Sequence, residues 1–396
     1  MRDIMRAGLP THKLPRLGIP YSLRMLWRDH RRFLPALLAI GLSAVLIAVQ
    51  LGLVLGLVLA VSAPIDHAPA HIWVLARDAP SLHQTYSFPT DWQARLDLQP
   101  EVARSEQYQT AMGRWRLPGR GSSELCMIVG VRLDEDSVGA LTVLTPELRA
   151  ALAEPGTVAI DAWEFPTFGL HGVGYEEGEV NGQPVRLAGR LHGFHGFAFV
   201  YVFCSQETLR MLAPQQYVDY PDLTPCLVAR CHDPRDVDRV VARLRQNYPD
   251  MGVYASGELS LKVRQYWLFR SRGGTVLMCT LVLALLVGLA VTSETLHAAV
   301  LAQAKEFAVL EALGVPRRRV AGLVLSQSLW LGVGGMLLAL PCTVALARAA
   351  LWLPAEVIVS PAILAFTFAL TLGMSVLAGL SSLRPLRGLE PARLLR

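Results

Sequence analysis

Apolar residues in this chain gather into four long blocks, 33–61, 274–293, 320–346 and 361–383, while the stretch between the first two alternates short apolar runs with turns. The first block contains no charged residue. At about 1.5 Å of rise per residue, each block is long enough to cross a hydrocarbon layer of about 30 Å as a helix. The pattern predicts a membrane protein with four transmembrane α-helices in a one-plus-three order. A large α+β domain is inserted between helices 1 and 2, on the far side of the membrane. The expected divisions are a cytoplasmic basic amphipathic segment (1–32), transmembrane helix 1 (33–61), the inserted domain in two lobes (62–265), and a stalk with the remaining helices (266–396), whose loop at 294–319 faces the cytoplasm.

Inside the inserted domain, residues 71–76, 125–131, 158–160, 183–188 and 197–203 read as strands, separated by glycine-rich turns. Residues 225–230, 233–248 and 252–255 read as strand, helix, strand. In that helix Val237, Val240, Val241 and Leu244 fall at helical spacing, with Asp233 or Asp236 available as a cap. Residues 258–272 read as an amphipathic helix feeding the second apolar block. An unbroken helix there would carry motion of the outer domain into the membrane; the plainer reading is a connector. Residues 20–33 read as a basic helix on the cytoplasmic membrane face, serving as an anchor or a partner contact.

Charge fits this layout. Charged residues are 17% of the chain, and they lie almost wholly outside the four blocks, as lipid requires. Residues 1–32 carry eight Lys/Arg, the loop between blocks two and three carries Lys305, Arg317, Arg318 and Arg319, and the tail carries Arg384, Arg387, Arg393 and Arg396. The positive-inside rule then puts both termini and that loop in the cytoplasm. Lys262, Arg264, Arg270 and Arg272 count against it, although charges in a long translocated domain weigh little. The net charge of +5 is thus an orientation signal, and no nucleic-acid partner is expected. The first block is expected to be a permanent anchor, since it is too long for a cleaved signal peptide and Pro64 makes Val61-Ser62-Ala63 a poor cleavage context. Cys279 and Cys342 lie in apolar blocks; whether Cys126, Cys204, Cys226 and Cys231 form disulfides is left open by their spacing.

Two features stand out along the helices. In the first block Ala44, Ala48, Gly52, Gly56 and Ala60 recur every four residues, a helix-packing seam that lets another helix approach closely. Gln50 can hydrogen-bond across helices there. The seam's partner is either another span or a second copy. In the loop, residues 305–313 should form a short helix, with Gly314 in the left-handed position that ends it and Pro316 blocking continuation. Arg317, Arg318 and Arg319 then meet anionic headgroups. Phe307, Leu310 and Leu313 are expected on one side of the helix and Glu306 and Glu311 elsewhere, a surface suited to docking a soluble partner. Glu306→Ala with Leu310→Asp is expected to break that docking without unfolding the chain.

The loop KEFAVLEALGVPRRRV, followed by SQSLWLGVGGMLL, resembles the signature of FtsX/MacB-type ABC permeases, which share the one-plus-three layout. ALLAIGLSAVLIAVQLGLVLGL looks closest to the DevC-like branch. EPGTVAIDAWEF and AGRLHGFHGFAFVYVFCSQETLRML resemble the family's periplasmic domain, so the resemblance covers most of residues 20–385. It implies the permease subunit of an ABC-type exporter in the bacterial inner membrane, transmitting motion mechanically. Carried over by position, Lys305, Glu306, Phe307, Leu310, Glu311, Leu313 and Gly314 would form the ATPase-coupling element. The implied partners are a cytoplasmic ABC ATPase, a second permease copy, a periplasmic adaptor with an outer-membrane duct, and the lipid bilayer. The triple arginine is more basic than the family pattern.

Absent motifs sharpen this. The chain has three lysines, Lys13, Lys262 and Lys305, and none lies in a glycine-rich phosphate loop. ATP and magnesium would therefore be used by the partner ATPase, with no cofactor bound by this chain. No H-E-x-x-H or G-x-S-x-G is present, so no catalytic residue is assigned. His192 and His195 form an H-x-x-H without a third ligand, and no metal is assigned. Glu294 and His297 are expected at the water boundary of the second helix. Two alternatives stay open: a non-transporting FtsX-like regulator that activates a cell-envelope enzyme, and an integral membrane enzyme.

Overall fold

The structure is a computed structural model and describes residues 30–117, 123–168, 170, 177–194, 200–350 and 360–386. The basic helix expected at 20–33 lies almost wholly outside the described residues, as do Arg387, Arg393 and Arg396 of the tail. In chain order the elements are α1 (His30–Asp66), β1 (Ile72–Ala76), β2 (Phe88–Pro89), α2 (Trp92–Asp97), β3 (Val102–Gln107), β4 (Gln109–Arg116), β5 (Ser123–Val131), α3 (Pro146–Leu152), β6 (Thr157–Asp161), β7 (Glu177–Val180), β8 (Gln183–Leu191), β9 (Val200–Ser205) and α4 (Gln206–Leu212). There follow β10 (Leu223–Thr224), β11 (Leu227–Cys231), α5 (Val237–Asn247), β12 (Met251–Ala255), α6 (Ser256–Phe269), α7 (Arg272–Ala302), α8 (Ala304–Ala312), α9 (Arg317–Ala350) and α10 (Pro361–Leu386). Four of these, α1, α7, α9 and α10, are long and apolar enough to cross a membrane. The chain divides into a mixed α/β unit, chiefly Leu53–Cys279 and called the outer unit after its expected position, and a helical unit holding the rest of α1 and the later helices.

The outer unit has two lobes. One is an antiparallel sheet in the order β12-β1-β11-β3. Its strands alternate strictly, because successive side chains point to opposite faces. Ile72, Val74, Leu227 and Ala229 pack under Leu96 of α2 and Val240, Val241 and Leu244 of α5. Trp73, Leu75 and Val228 pack on the other face. Asp233 accepts a hydrogen bond from the Arg235 N–H at 2.8 Å, capping the turn that leads into α5.

The second lobe is a closed barrel, β4-β5-β9-β6-β8-β7, inserted in the chain between β3 and β11. Trp115, Ile128, Val158, Ile160 and Val202 fill it. Gly178 makes room for the indole, since a Cβ there would lie 2.3 Å from the Trp115 ring. Between the lobes a single core collects Leu57, Val61 and Ile65 from the end of α1, Tyr201 and Phe203 from β9, and Leu259 and Val263 from α6.

All six cysteines are free thiols. Cys226 and Cys231 are an odd number of residues apart, so one faces the inter-lobe core and the other the helix side of the sheet. Burial pushes the Cys126 thiol up to about 12 and lifts Cys204 and Cys226 as well.

In the helical unit α1 and α9 cross with backbones close together. A Cβ on Gly335 would lie 2.5 Å from Ile40 Cγ2 and 3.1 Å from the Gly41 nitrogen. Small residues on both sides allow this approach. Ala44, Ala48, Gly52, Gly56 and Ala60 are all buried within the chain. Ala44 packs against Met336 and Ala339 of α9, while Ala60 belongs to the outer unit, where its carbonyl lies 3.4 Å from the Tyr201 hydroxyl. The Gln50 side-chain amide donates to the Thr280 hydroxyl of α7.

Candidate functional site

The loop between the second and third apolar helices is shorter than the sequence pattern suggests, because α7 runs on to Ala302. One residue, Gln303, joins α7 to α8. Its N–H bonds the Val300 carbonyl at 3.1 Å, and its own carbonyl accepts the Phe307 N–H at 3.1 Å. Its side chain is buried, and Gln327 Nε2 of α9 donates to Gln303 Oε1 at 3.5 Å.

The far end of α8 closes as its sequence predicts. Gly314 has φ 90°, a conformation only glycine adopts without strain. The Val315 N–H bonds the Leu310 carbonyl at 3.1 Å, and both side chains join one apolar cluster. This is the Schellman arrangement, with its accompanying hydrophobic contact. Pro316 then opens α9, accepting the Arg319 N–H at 2.8 Å, and Arg317, Arg318 and Arg319 are exposed.

The faces of α8 differ from the expected ones. Phe307 is 3% exposed and packs on Val300, Val320, Leu323 and Val324. Leu310 is half-buried against the same cluster. Leu313 is 70% exposed and Val309 45%. Steps of three residues turn about 300°, so Phe307, Leu310 and Leu313 drift around the helix instead of sharing a side. The outward face is Glu306, Val309 and Leu313, which span only about 60° of arc. Sequence reasoning passed over Val309, although its i, i+4 relation to Leu313 was available. Leu310→Asp would damage the cluster that holds α8, so Leu313 is the cleaner probe. The side chains of Lys305 and Glu311 lie outside the described residues. On α7, Glu294 is exposed and His297 half-exposed.

A second set of contacts ties α6 to the end of α1 in the outer unit. Arg264 bonds Asp66 at 2.7 Å and Ser62 at 3.0 Å, and Ser62 donates to Asp66 at 2.6 Å. Below this clip α6 ends at Phe269, so the helix expected over 258–272 is not continuous with α7. Ser271 Oγ accepts the Gly274 N–H at 3.0 Å and donates to the Trp267 carbonyl at 2.5 Å. A Cβ on Gly274 would lie 1.7 Å from that carbonyl oxygen. The hydroxyl thereby bridges two helix ends across a tight bend.

The two stretches singled out in the inserted domain also meet. Asp161 accepts the Trp163 N–H at 2.9 Å and the Phe194 N–H at 2.7 Å, pinning the 154–165 and 188–194 segments together. His192 is exposed, and His195 lies outside the described residues. Among the described residues no group of three or more His, Cys, Asp or Glu side chains is placed to hold a metal ion.

Residues 278–391, which contain α8 and its flanking helices, match the FtsX-like permease C-terminal family. This segment is thus similar to the C-terminal domain of FtsX-like permeases. The match does not distinguish a DevC-like branch. Among solved structures, the periplasmic region of MacB from Actinobacillus actinomycetemcomitans is similar over 50% of this chain and 95% of its own, at 10% identity and a TM-score of 0.32. The extracellular domain of the noncanonic ABC-type transporter YknZ from Gram-positive bacteria is similar over 47% of this chain and 98% of its own, at 12% identity and a TM-score of 0.30. No curated protein matches the chain.

Proposed function

We propose that this FtsX-like permease is the membrane subunit of an ABC-type exporter, driven by a separate cytoplasmic ATPase through mechanical transmission. The observation that carries the reading is the outward face of α8. A helix held on one side by Phe307 and Leu310, and closed by Gly314, presents Glu306, Val309 and Leu313 to a partner. A rigid mount is what a force-bearing contact requires, because a loosely held helix would yield before moving the spans.

The remaining assignments follow from that one. The chain sits in the bacterial inner membrane, with both termini and α8 cytoplasmic and the outer unit periplasmic. Spans are organised as one plus three, the inserted domain filling roughly 62–265. ATP and magnesium are bound by the ATPase. A second copy of the permease completes the assembly, and a periplasmic adaptor with an outer-membrane duct continues the path. The Arg264–Asp66–Ser62 clip supports the mechanical part, since it makes the outer end of α1 and the stalk helix α6 move together.

Affinity purification of the tagged chain in mild detergent, followed by mass spectrometry, tests the reading. A stoichiometric P-loop ATPase is expected, with an adaptor beside it. An ATPase accompanied instead by a cell-wall hydrolase would replace export with regulation of an envelope enzyme. Absence of any ATPase, even after crosslinking from a cysteine placed at Leu313, would overturn the proposal.

A further inference from the structure

We infer that Phe269, Arg270 and Arg272 form a foot that docks onto phospholipid headgroups in the leaflet facing the outer unit. The inference rests on the four-span reading above. Its starting point is the basic cluster that runs against the positive-inside pattern, and the structure splits that cluster in two. Lys262 is spent inside the outer unit, on the Ala79 carbonyl at 3.0 Å and the Tyr254 hydroxyl at 2.6 Å. Arg264 is spent on Asp66 and Ser62. Arg270 and Arg272 are exposed, and neither guanidinium has a hydrogen bond or ion pair among the described residues. Beside them the Phe269 ring is 65% exposed.

Spacing selects the occupant. The exposed apolar side of α7 begins at Val276, which is 61% exposed. Arg272 precedes it by about 6 Å of helix rise. The headgroup layer on each side of a bilayer is about 5–7 Å thick, so Arg272 falls at phosphate depth when Val276 meets the hydrocarbon. Arginine is the side chain best matched to phosphate oxygens, and its stem tolerates the apolar boundary. A protein partner would need a broader apolar patch than one phenyl ring.

The test uses the full chain in vesicles of phosphatidylethanolamine and phosphatidylglycerol, with Cys279 and Cys342 replaced by serine. Nitroxide labels go at Phe269, at Leu283 on the exposed side of α7, and at Leu98 on the outer unit. Collision with oxygen and with a water-soluble nickel chelate gives their depths. The expected result is hydrocarbon depth for 283, water for 98 and headgroup depth for 269. Native mass spectrometry should show phosphatidylglycerol retention falling about fivefold for each of Arg270→Ala and Arg272→Ala, with most of it restored by lysine at both positions. A label at 269 that reads like the one at 98, with lipid retention unchanged in the alanine variants, overturns the foot alone. Water exposure at 283 overturns the four-span reading and the foot with it. Shielding of 269 only when a periplasmic protein is added assigns the surface to that protein, and also overturns the inference.

Discussion

Acidification should loosen the outer unit through one half-buried histidine. His83 packs in the inter-lobe core, its Nε2 2.6 Å from the Tyr201 hydroxyl and its ring edge-on to Trp267 at 5.9 Å. Burial lowers its pKa from 6.5 to about 3, while burial also keeps the Tyr201 hydroxyl neutral. The folded state therefore refuses a proton that the unfolded chain accepts. For a base depressed on folding, stability is complete above pH 6.5 and is lost as pH falls toward the folded value. Between pH 7.5 and pH 5 the linkage comes to about 2 kcal/mol, or about 4–8 °C in Tm for a unit of this size.

The assay is thermal unfolding of the full chain in detergent at both pH values, followed by near-ultraviolet circular dichroism, beside His83→Leu. Leucine removes the hydrogen bond between the His83 ring and the Tyr201 hydroxyl, so the variant should be weaker at pH 7.5, yet its loss on going to pH 5 should be smaller by about 2 kcal/mol. Other groups cancel in this difference. His71, also lowered by burial, is present in both proteins. Glu101 and Asp250, held low chiefly by hydrogen bonds from Arg243 and Arg95, titrate at still lower pH. Equal pH slopes for the two proteins would refute the reasoning, and so would a parent more stable at pH 5 than at 7.5.

Three further perturbations have definite outcomes. Glu306→Ala with Leu313→Asp should lower affinity for the proposed partner ATPase at least tenfold in a pull-down titration, with little change in Tm, because both positions are exposed. Glu106→Gln should cost about 3 kcal/mol in chemical unfolding: this buried carboxylate accepts bonds from Ser137 Oγ at 2.8 Å and from the Val138 and Gly139 N–H groups at 3.1 and 3.3 Å. Gly335→Val should force α1 away from α9, lowering Tm in detergent by several degrees, whereas Gly373→Val on α10, where a Cβ meets nothing within 4 Å, should leave it unchanged.

The sequence made the long apolar helices legible because lipid-length hydrophobic runs have few other uses, and the strands at β1, β5, β6 and β11 were visible for their β-branched runs. The barrel was not. Its strand β4 reads Gln-Thr-Ala-Met-Gly-Arg-Trp-Arg, with Ala111, Gly113 and Trp115 facing inward and Met112, Arg114 and Arg116 outward. The period is two, but a glycine stands where an apolar residue would have signalled a core, because Ile128 fills that space from the neighbouring strand. Strand β3 was hidden for the opposite reason. Ser105 and Glu106 are buried polar residues, whose partners Asp97 and Ser137 are supplied by other segments.

The same logic explains what was visible at α8. Gly314 and Pro316 act within a few residues, so the helix end could be read locally. Which side of α8 faces outward depends on a surface made by Val320, Leu323 and Val324, a full loop away in sequence. Periodicity alone could group Phe307 with Leu313, but only the presence of α9 decides that Phe307 is the one to be buried. A contact surface on a short helix is thus set by what its other side has already used. The experiment that respects this leaves Phe307 and Leu310 in place as the mount and alters Glu306, Val309 and Leu313. If charge at Leu313 leaves ATPase binding intact while Phe307→Ala abolishes it, the mount would itself be the contact, and the assignment of faces on α8 would be wrong.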